Sequence, residues 1–413
     1  MLLLRTDAAS MASKIVLGYS GGLDTTTAIL WLKEKYGYDV VTLTVDVGQE
    51  ENFAPIAKRS QELGAVKHLE IDAKEEFANA YIAKSIKANG LYQGKYPLST
   101  ALARPLIAAK MVEVAEKEGA TAVANGCTGK GNDQVRFDLA VSALNPSLKV
   151  VAPVREWNLS RNEEVDYLRS KGFDAPMKRS EFSVDQNLWG RSVEGGSIEN
   201  PADEPPQEAL EWTRAPGLWP AEPSYVTIGF EEGVPTSLDG QDMKLSDLII
   251  RLNRLAGSHG VGLLDHMEDR SVGIKSHEVY ECPAATVLIE AHRELEKLVL
   301  TRSEAAFKPA VEQQWSWLVY SGLWIDPLLK DLQGFIDSTQ EFVTGDTRVK
   351  LFKGACRVVG RSSPFALYQK QLSTYGVDST FDQKAAEGFI KLWGLPSVMA
   401  ARRSLLKTKE VLA

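Results

Sequence analysis

The spacing of apolar positions changes character twice along this chain. From Lys14 to Tyr19 the run KIVLGY is short, apolar and bounded by Ser20-Gly21-Gly22, which predicts a buried strand. DTTTAILWLKEKYG (24–37) reads as a helix closing on Gly37. DVVTLTVDVG (39–48) is β-branched and strand-like, FAPIAKRSQELG (53–64) is an amphipathic helix ending at glycine, and VKHLEID (66–72) is a third strand. TALARPLIAAKMVEVAEKEG (100–119) is helical, and ATAVANG (120–126) and LKVVAPV (148–154) are strands. Ser160 with Glu163 makes a capping box that opens a helix through Arg169. Strands separated by helices predict an α/β fold with a parallel sheet covered on both faces.

Beyond about residue 178 the pattern becomes mixed. Six of the 18 prolines fall between Pro201 and Pro223, predicting a long irregular loop. SYVTIGFEEGVPTSL (224–238) and TRVKLFKGACRVVGR (347–361) read as hairpins, the second turning at Lys353-Gly354. Long helices are expected near 283–303, 304–321 and 326–344. The segment 364–404 mixes aromatic and basic residues on helical stretches and is too thin for a core of its own. The expected organisation is an extension (1–12), an α/β domain (13–177), a mixed α+β domain (178–363) and a helical tail (364–413).

Composition removes several function classes. A chain of 413 residues suggests two domains or more. Its net charge of −8 disfavours nucleic acid as the main partner, while leaving room for a local basic pocket. Cys127, Cys282 and Cys356 are far apart and odd in number, so no disulfide framework or zinc ribbon is readable and a reducing cytoplasm is expected. The five histidines form no His-x-x-x-His pair, against a zinc hydrolase. The three leucines before Arg5 fall short of a signal-peptide core, and no apolar run reaches membrane-spanning length.

Two glycine-rich stretches carry the chemistry. Ser20-Gly21-Gly22-Leu23-Asp24-Thr25 follows a strand and opens a helix, so free backbone N–H groups and the helix dipole make an anion site. The Walker and Rossmann spacings are both absent, and the loop holds an acid and no lysine. The plain alternative is a tight strand–helix turn. NGCTGKGNDQVRFDL (125–139) gathers Gly126, Gly129 and Gly131 with Lys130, Arg136, Asn132, Asp133 and Gln134. Asp133 can pair with a substrate ammonium and Arg136 can clamp a carboxylate. The alternative there is a loop that merely caps a helix with Asn132 or Asp133.

The pattern Ser-Gly-Gly-x-Asp-Ser/Thr at 20–25 resembles the pyrophosphate loop of the N-type ATP pyrophosphatases. The resemblance implies that ATP is cut between its α and β phosphates, that AMP passes to the substrate, and that pyrophosphate stays in the loop with Mg²⁺, which an acid such as Asp24 can help hold. With YSGGLDT, TGKGNDQVRF, TALARPLIA, SVDQNLWGR and VGIKSHEVYE together, the chain resembles the argininosuccinate synthases from about Lys14 to Arg403. That family joins citrulline to aspartate with ATP, giving argininosuccinate, AMP and pyrophosphate. Its members are typically cytoplasmic homotetramers of arginine biosynthesis, with an adenine nucleotide α-hydrolase-like first domain.

Carried over by residue, the resemblance implies that Gly18, Tyr19, Ser20, Gly21, Gly22, Leu23, Asp24, Thr25, Thr26, Val45 and Gly126 surround ATP. Asp24 and Ser20 are the implied catalytic residues. Thr128, Asn132 and Asp133 would hold aspartate, and Tyr96, Asn132, Arg136, Ser183, Ser192, Glu268 and Tyr280 would hold citrulline. No metal ligand is assigned. Ala101 stands where some members have serine beside citrulline, and Asp46 stands where others have asparagine. Each role has an alternative: Tyr96 and Tyr280 as packing tyrosines, Ser183 as the cap of a helix near Asp185, Glu268 as a surface acid. Arg104-Pro105 reads as a helix-start device and is left outside the site.

Rival readings are another adenylating enzyme with the same loop, either a glutamine-dependent amidotransferase or a tRNA-thiolating enzyme, and a non-catalytic nucleotide sensor. The first needs a glutaminase or an ammonia source, and no nucleophilic-cysteine module is seen at the N-terminus; the second usually wants paired cysteines and a basic RNA face, and this chain has neither. The intact SGGLDT and TGKGNDQ speak against the third.

Overall fold

The computed structural model describes residues 13–157, 159–176 and 182–411. Residues 1–12, expected to be an extension, and the expected 177/178 boundary fall outside these. By its contacts the chain forms one compact unit ending at Phe365 and a second beginning at Ala366.

The first half alternates as predicted: β1 (Lys14–Gly18), α1 (Leu23–Tyr36), β2 (Asp39–Asp46), α2 (Phe53–Glu62) and β3 (Lys67–Asp72). A segment left unassigned by the sequence pattern follows, α3 (Lys74–Phe77), a π turn (Ala78–Ile82) and α4 (Ala83–Lys87). Then come α5 (Ser99–Glu118), β4 (Ala122–Ala124), α6 (Asp133–Leu144), β5 (Lys149–Val151), α7 (Pro153–Trp157) and α8 (Arg161–Ser170). The Ser160–Glu163 capping box opening α8 is present in both directions. Gly37, in the left-handed region at φ 67°, ends α1.

The five strands lie parallel in the order β3-β2-β1-β4-β5. The chain therefore winds outward from β1 in one direction and from β4 in the other. Loops leaving the carboxyl ends of β1 and β4 meet at the switch point, where open α/β sheets bind ligands. β1 is central, and Ile15, Val16 and Leu17 are fully buried, which is why this stretch reads as a continuous apolar run.

The second half holds β6 (Ser183–Asn187), β7 (Gly190–Glu194), β8 (Ser224–Glu231), β9 (Val234–Leu238), β10 (Gln241–Asp242), α9 (Leu245–Ser258), β11 (Leu263–Asp269) and β12 (Lys275–Glu281). It continues through α10 (Pro283–Val299), α11 (Arg302–Tyr320), α12 (Pro327–Thr339), β13 (Gly345–Phe352) and β14 (Ala355–Ser362). Two antiparallel sheets result, ordered β10-β9-β8-β13-β14 and β11-β12-β7-β6. The proline-rich segment before β8 carries only short 3₁₀ turns. Both predicted hairpins form, and β13 and β14 pair around Lys353-Gly354. Asp185 lies inside β6, so the helix that Ser183 was weighed as capping does not exist.

A closed polar cluster joins the end of α4 to α10, α11 and α12. Lys308, 1% exposed, bonds Glu296 at 2.8 Å, Glu312 at 2.6 Å and the Lys87 carbonyl at 2.8 Å. Asn89 donates to the same two carboxylates, and Gln340 donates to Glu296 at 2.8 Å. Their amide oxygens then face the two ring nitrogens of buried His292, each at 2.7 Å.

Taken by itself, the second unit is helical: α13 (Lys370–Ser373), α14 (Gln383–Trp393) and α15 (Leu395–Val411). Phe389 stacks on Trp393, and Ile390, Leu392, Leu405 and Leu406 are exposed on these helices.

Candidate active site

The first loop leaves β1 at Gly18. Gly18 itself has no Cβ because one would come within 3.2 Å of the Met111 sulfur on α5. The Tyr19 side chain is buried, and burial raises its pKa, while its backbone N–H donates to the Leu43 carbonyl at 2.8 Å and its carbonyl accepts from Thr44 at 2.7 Å. Ser20 and Gly22 are exposed. Gly21 takes φ +74°, where a Cβ would press on Ile56 at 3.1 Å, so glycine is required twice over. Gly22 occupies the N-cap of α1 with no side-chain cap, leaving the first-turn N–H groups of Leu23, Asp24 and Thr25 for an incoming anion. The Ser20 and Thr25 hydroxyls lie 3.3 Å apart, and Thr26 reaches back to the Gly21 carbonyl. β2 runs past the end of β1, since Gly18 pairs with Leu43, and this puts Val45 at the rim of the same crevice.

The second loop, Asn125 to Asn132, leaves β4 beside it. A Cβ on Gly126 would come within 2.7 Å of Thr25 Cγ2 and 3.8 Å of Asp24 Cβ. The two motifs, a hundred residues apart in sequence, are thus in contact through the one residue of the second loop that the resemblance gives to the nucleotide. Thr128 is exposed on this loop.

The Asp46 departure has a local explanation. Its carboxylate accepts the Gly48 N–H at 2.8 Å and pairs with Lys74, tying the turn after β2 to α3. Ala101, 1% exposed, is packed into the first turn of α5, where Tyr96 instead supplies the polar contacts. The Tyr96 hydroxyl accepts the Thr100 N–H at 2.9 Å and bonds the Thr100 hydroxyl at 2.7 Å.

Asp133 and Arg136 start α6. Both oxygens of Asp133 are held: Arg104 reaches one at 2.7 Å and Arg136 the other at 2.9 Å. Burial pushes the Asp133 carboxyl up, and the two guanidinium groups more than offset this, leaving it below the usual range. Arg104 also bonds Asp185 at 2.7 Å. Arg104-Pro105 lies inside α5, not at its start, and Arg104 is a member of the cluster that the sequence reading left out.

The four-stranded sheet brings the remaining residues. Tyr280 on β12 stands opposite Ser192 on β7, which stands opposite Asp185 on β6, with Ser183 two positions along on the same face. Ser183 is exposed and Ser192 half-buried. Glu268, 2% exposed, is no surface acid: its oxygens accept the Tyr280 hydroxyl at 2.6 Å and the Tyr320 hydroxyl at 2.5 Å. Tyr96 stacks on Tyr280 with ring centroids 4.1 Å apart. The turn between β11 and β12 clasps the second loop, since the Ser271 N–H donates to the Asn132 oxygen at 2.8 Å and Arg270 donates to the Lys130 carbonyl at 3.4 Å, while Arg270 is itself held by Glu194 and Glu278 at 2.6 Å each. No local motif announces Tyr320 or this clasp; both depend on pairings between residues 52 to 188 positions apart.

Glu164 on α8 was also missed. It is 2% exposed and lies beside Asp24, and burial followed by the Asp24 charge raises its pKa to about 8. Because the folded protein binds this proton more tightly than the unfolded chain, stability falls as pH rises from the ordinary carboxyl range to about 8. Glu164→Gln should lose that dependence. Urea unfolding at pH 5 and pH 9 should show the wild type falling relative to the variant by more than about 1 kcal/mol, one pKa unit being worth about 1.4 kcal/mol. Parallel pH profiles would contradict the assignment.

Among the described residues no group of three or more His, Cys, Asp or Glu side chains could hold a metal ion alone, and no helix is long and apolar enough to cross a membrane. Residues 14–174 match the family described as the arginosuccinate synthase N-terminal HUP domain, and residues 182–400 match the arginosuccinate synthase C-terminal domain. The chain is 57% identical over 387 residues to the argininosuccinate synthase of Pyrococcus furiosus, covering 94% of both. It is 52% identical over 393 residues to that of Pyrobaculum aerophilum, covering 95% of this chain and 99% of that protein. With the argininosuccinate synthase of Bacillus subtilis it shares 52% over 402 residues, 97% and 99% of the two chains.

Proposed function

Because this chain belongs to the argininosuccinate synthase family, which condenses citrulline with aspartate at the expense of ATP in arginine biosynthesis, we propose how its residues divide that work. The contact of Gly126 with Thr25 carries the reading, because it sets an anion loop against an amino-acid loop. Gly18 to Thr26, Val45 and Gly126 surround ATP, with its β and γ phosphates over the Ser20–Thr25 loop. Thr128, Asn132 and Asp133 take aspartate. Tyr96, Asn132, Arg136, Ser183, Ser192, Glu268 and Tyr280 take citrulline.

The ureido carbon of citrulline is a poor electrophile because two nitrogens donate into its carbonyl. Transfer of AMP to the ureido oxygen makes the carbon electron-poor and supplies a phosphate leaving group. The attacking oxygen and departing pyrophosphate lie in line across the α phosphate. The aspartate amine then adds, and AMP leaves. Asp133, held by two arginines, is a weak base, so the amine proton passes to departing phosphate oxygens. The site works chiefly by orientation and charge stabilisation. Mg²⁺ fits this donor set only as a shared ion, held by Asp24 and phosphate oxygens, and would supply charge neutralisation on the pyrophosphate.

The wider organisation belongs to the same proposal: residues 13–177 bind ATP, 178–363 complete the amino-acid site, and 364–413 join subunits in a homotetramer. The exposed aromatic and aliphatic side chains of the tail support the last point, being too many for a free segment. The unpaired cysteines agree with a cytoplasmic enzyme.

The test follows an oxygen atom. Citrulline carrying heavy oxygen at the ureido position should deliver the label to the AMP phosphate, with none in pyrophosphate or water. Mass spectrometry of the products reads the result. ADP as product, or label in inorganic phosphate, would mean attack at the γ phosphate and overturn the role given to the Ser20–Thr25 loop.

A further inference from the structure

Tyr320 is the last residue of α11 and 1% exposed. Nothing in its sequence neighbourhood marks it, yet it touches more of the amino-acid cluster than any residue assigned there. Its hydroxyl donates to Glu268 at 2.5 Å and accepts from the Asn132 side-chain amide at 2.9 Å. Burial and then the Glu268 charge raise its pKa, so the phenol keeps the proton that the first bond needs. Its carbonyl, one of the orphan acceptors at a helix end, takes two N–H groups from Arg136 at 2.9 and 3.1 Å. The Arg136 guanidinium also lies 5.1 Å from the ring.

The ring cannot turn away from these duties. It stacks on Tyr92, centroids 3.5 Å apart and planes 4° from parallel, and meets Tyr96 edge-on at 6.3 Å. The backbone after it is equally fixed. Gly322 sits at φ +78°, and a Cβ there would approach the Arg136 backbone to 3.1 Å. The end of α11 is thus pressed against the start of α6.

We propose that Tyr320 is a positioning residue that couples the citrulline and aspartate halves of the site through its hydroxyl. It fixes the Glu268 carboxylate, from the region after residue 182, at a set distance from Asn132 on the second loop. This rests on the division of roles proposed above. Asn132 keeps its oxygen on the Ser271 N–H, so without the phenol its amide loses the partner that orients it. Glu268 loses one of two hydrogen bonds while Tyr280 keeps the other. The phenol bonds Asn132 and Glu268 and makes no hydrogen bond to the Ser20–Thr25 loop.

Tyr320→Phe keeps the ring, its stacking and the Arg136 contacts, and removes only the hydroxyl. In initial-rate assays of pyrophosphate release it should raise KM for both citrulline and aspartate by about fivefold each, the size of one ordinary hydrogen bond. KM for ATP should stay within about twofold, a difference too small for a lost hydrogen bond. Tyr320→Leu, which removes the ring too, should lower the melting temperature, whereas Tyr320→Phe should melt near the wild type. A merely structural phenol would give a lower melting temperature in Tyr320→Phe with all three KM values unchanged, and that would overturn the inference. Glu268→Gln separates the two levels of the reading. If Glu268→Gln raises KM for citrulline and Tyr320→Phe does not, only the coupling role fails. If Glu268→Gln leaves KM for citrulline unchanged, the citrulline assignment fails and the coupling role with it.

Discussion

Asp24→Asn should abolish most turnover while the protein stays folded. Asn has the shape of Asp and can still hydrogen-bond to Glu164, so packing at the start of α1 survives. What disappears is the one carboxylate set in the phosphate loop, half-buried in the first turn of the helix. On the proposed placement of ATP, this charge would matter most as the α–β bond breaks. Removing a single preorganised group of this kind typically costs about 10²–10³ in kcat. Steady-state assays at saturating substrates should therefore show a fall in kcat larger than any change in KM for citrulline or aspartate. Circular dichroism and thermal melting should match the wild type. Near-normal kcat would remove Asp24 from the catalytic set.

Asp133→Ala is the second substitution with a large expected effect, and here stability and function fall together. In the structure one carboxylate pairs with both Arg104 and Arg136, which are largely withdrawn from water. Removing one partner of such a group leaves buried charge uncompensated, at a cost on the order of 3–5 kcal/mol. The variant should melt well below the wild type. Of the enzyme that remains folded, the apparent affinity for aspartate should suffer most and that for ATP least. Arg104 retains Asp185 as a second partner, so some compensation is built in, and Asp133→Asn should fall between the two. A variant that lost ATP binding but kept its aspartate affinity would show that the second loop serves the other ligand.

The parts of this fold visible in the sequence are those set by short-range periodicity and glycine. β1, β2 and β3, the capped helix α8, and both hairpins follow from patterns within about ten residues. Each candidate loop was legible for the same reason, since both are defined by glycine spacing at a strand end. The helix–π–helix segment 74–87 escaped because its apolar positions do not keep one period through Ala78–Ile82. Arg104 was taken as punctuation because a following proline so often opens a helix, whereas Pro105 lies within α5. Glu268 in HMEDR had a surface acid as its alternative reading, and only the fold, in which it lies opposite Ser276 and accepts the Tyr280 hydroxyl, removes it. Tyr320 had no signature at all, since its partners lie 52 and 188 residues away. Residues that act on a backbone loop were readable; residues that act through pairs of strands or helices became visible only with the fold.

The polar cluster of Asn89, His292, Glu296, Lys308, Glu312 and Gln340 bears on how this sequence can drift over generations. Its lysine and two glutamates hold one another, so exchanging the lysine alone carries a cost. Exchanging Lys308 alone strands two carboxylates, and exchanging either glutamate leaves the lysine and the Asn89 amide one carboxylate where each had two. An apolar replacement of the whole set can be as stable as the original, yet an intermediate that has lost Lys308 and kept the two glutamates holds unmatched buried charge. Lys308, Glu296 and Glu312 are therefore expected to change together rather than one at a time.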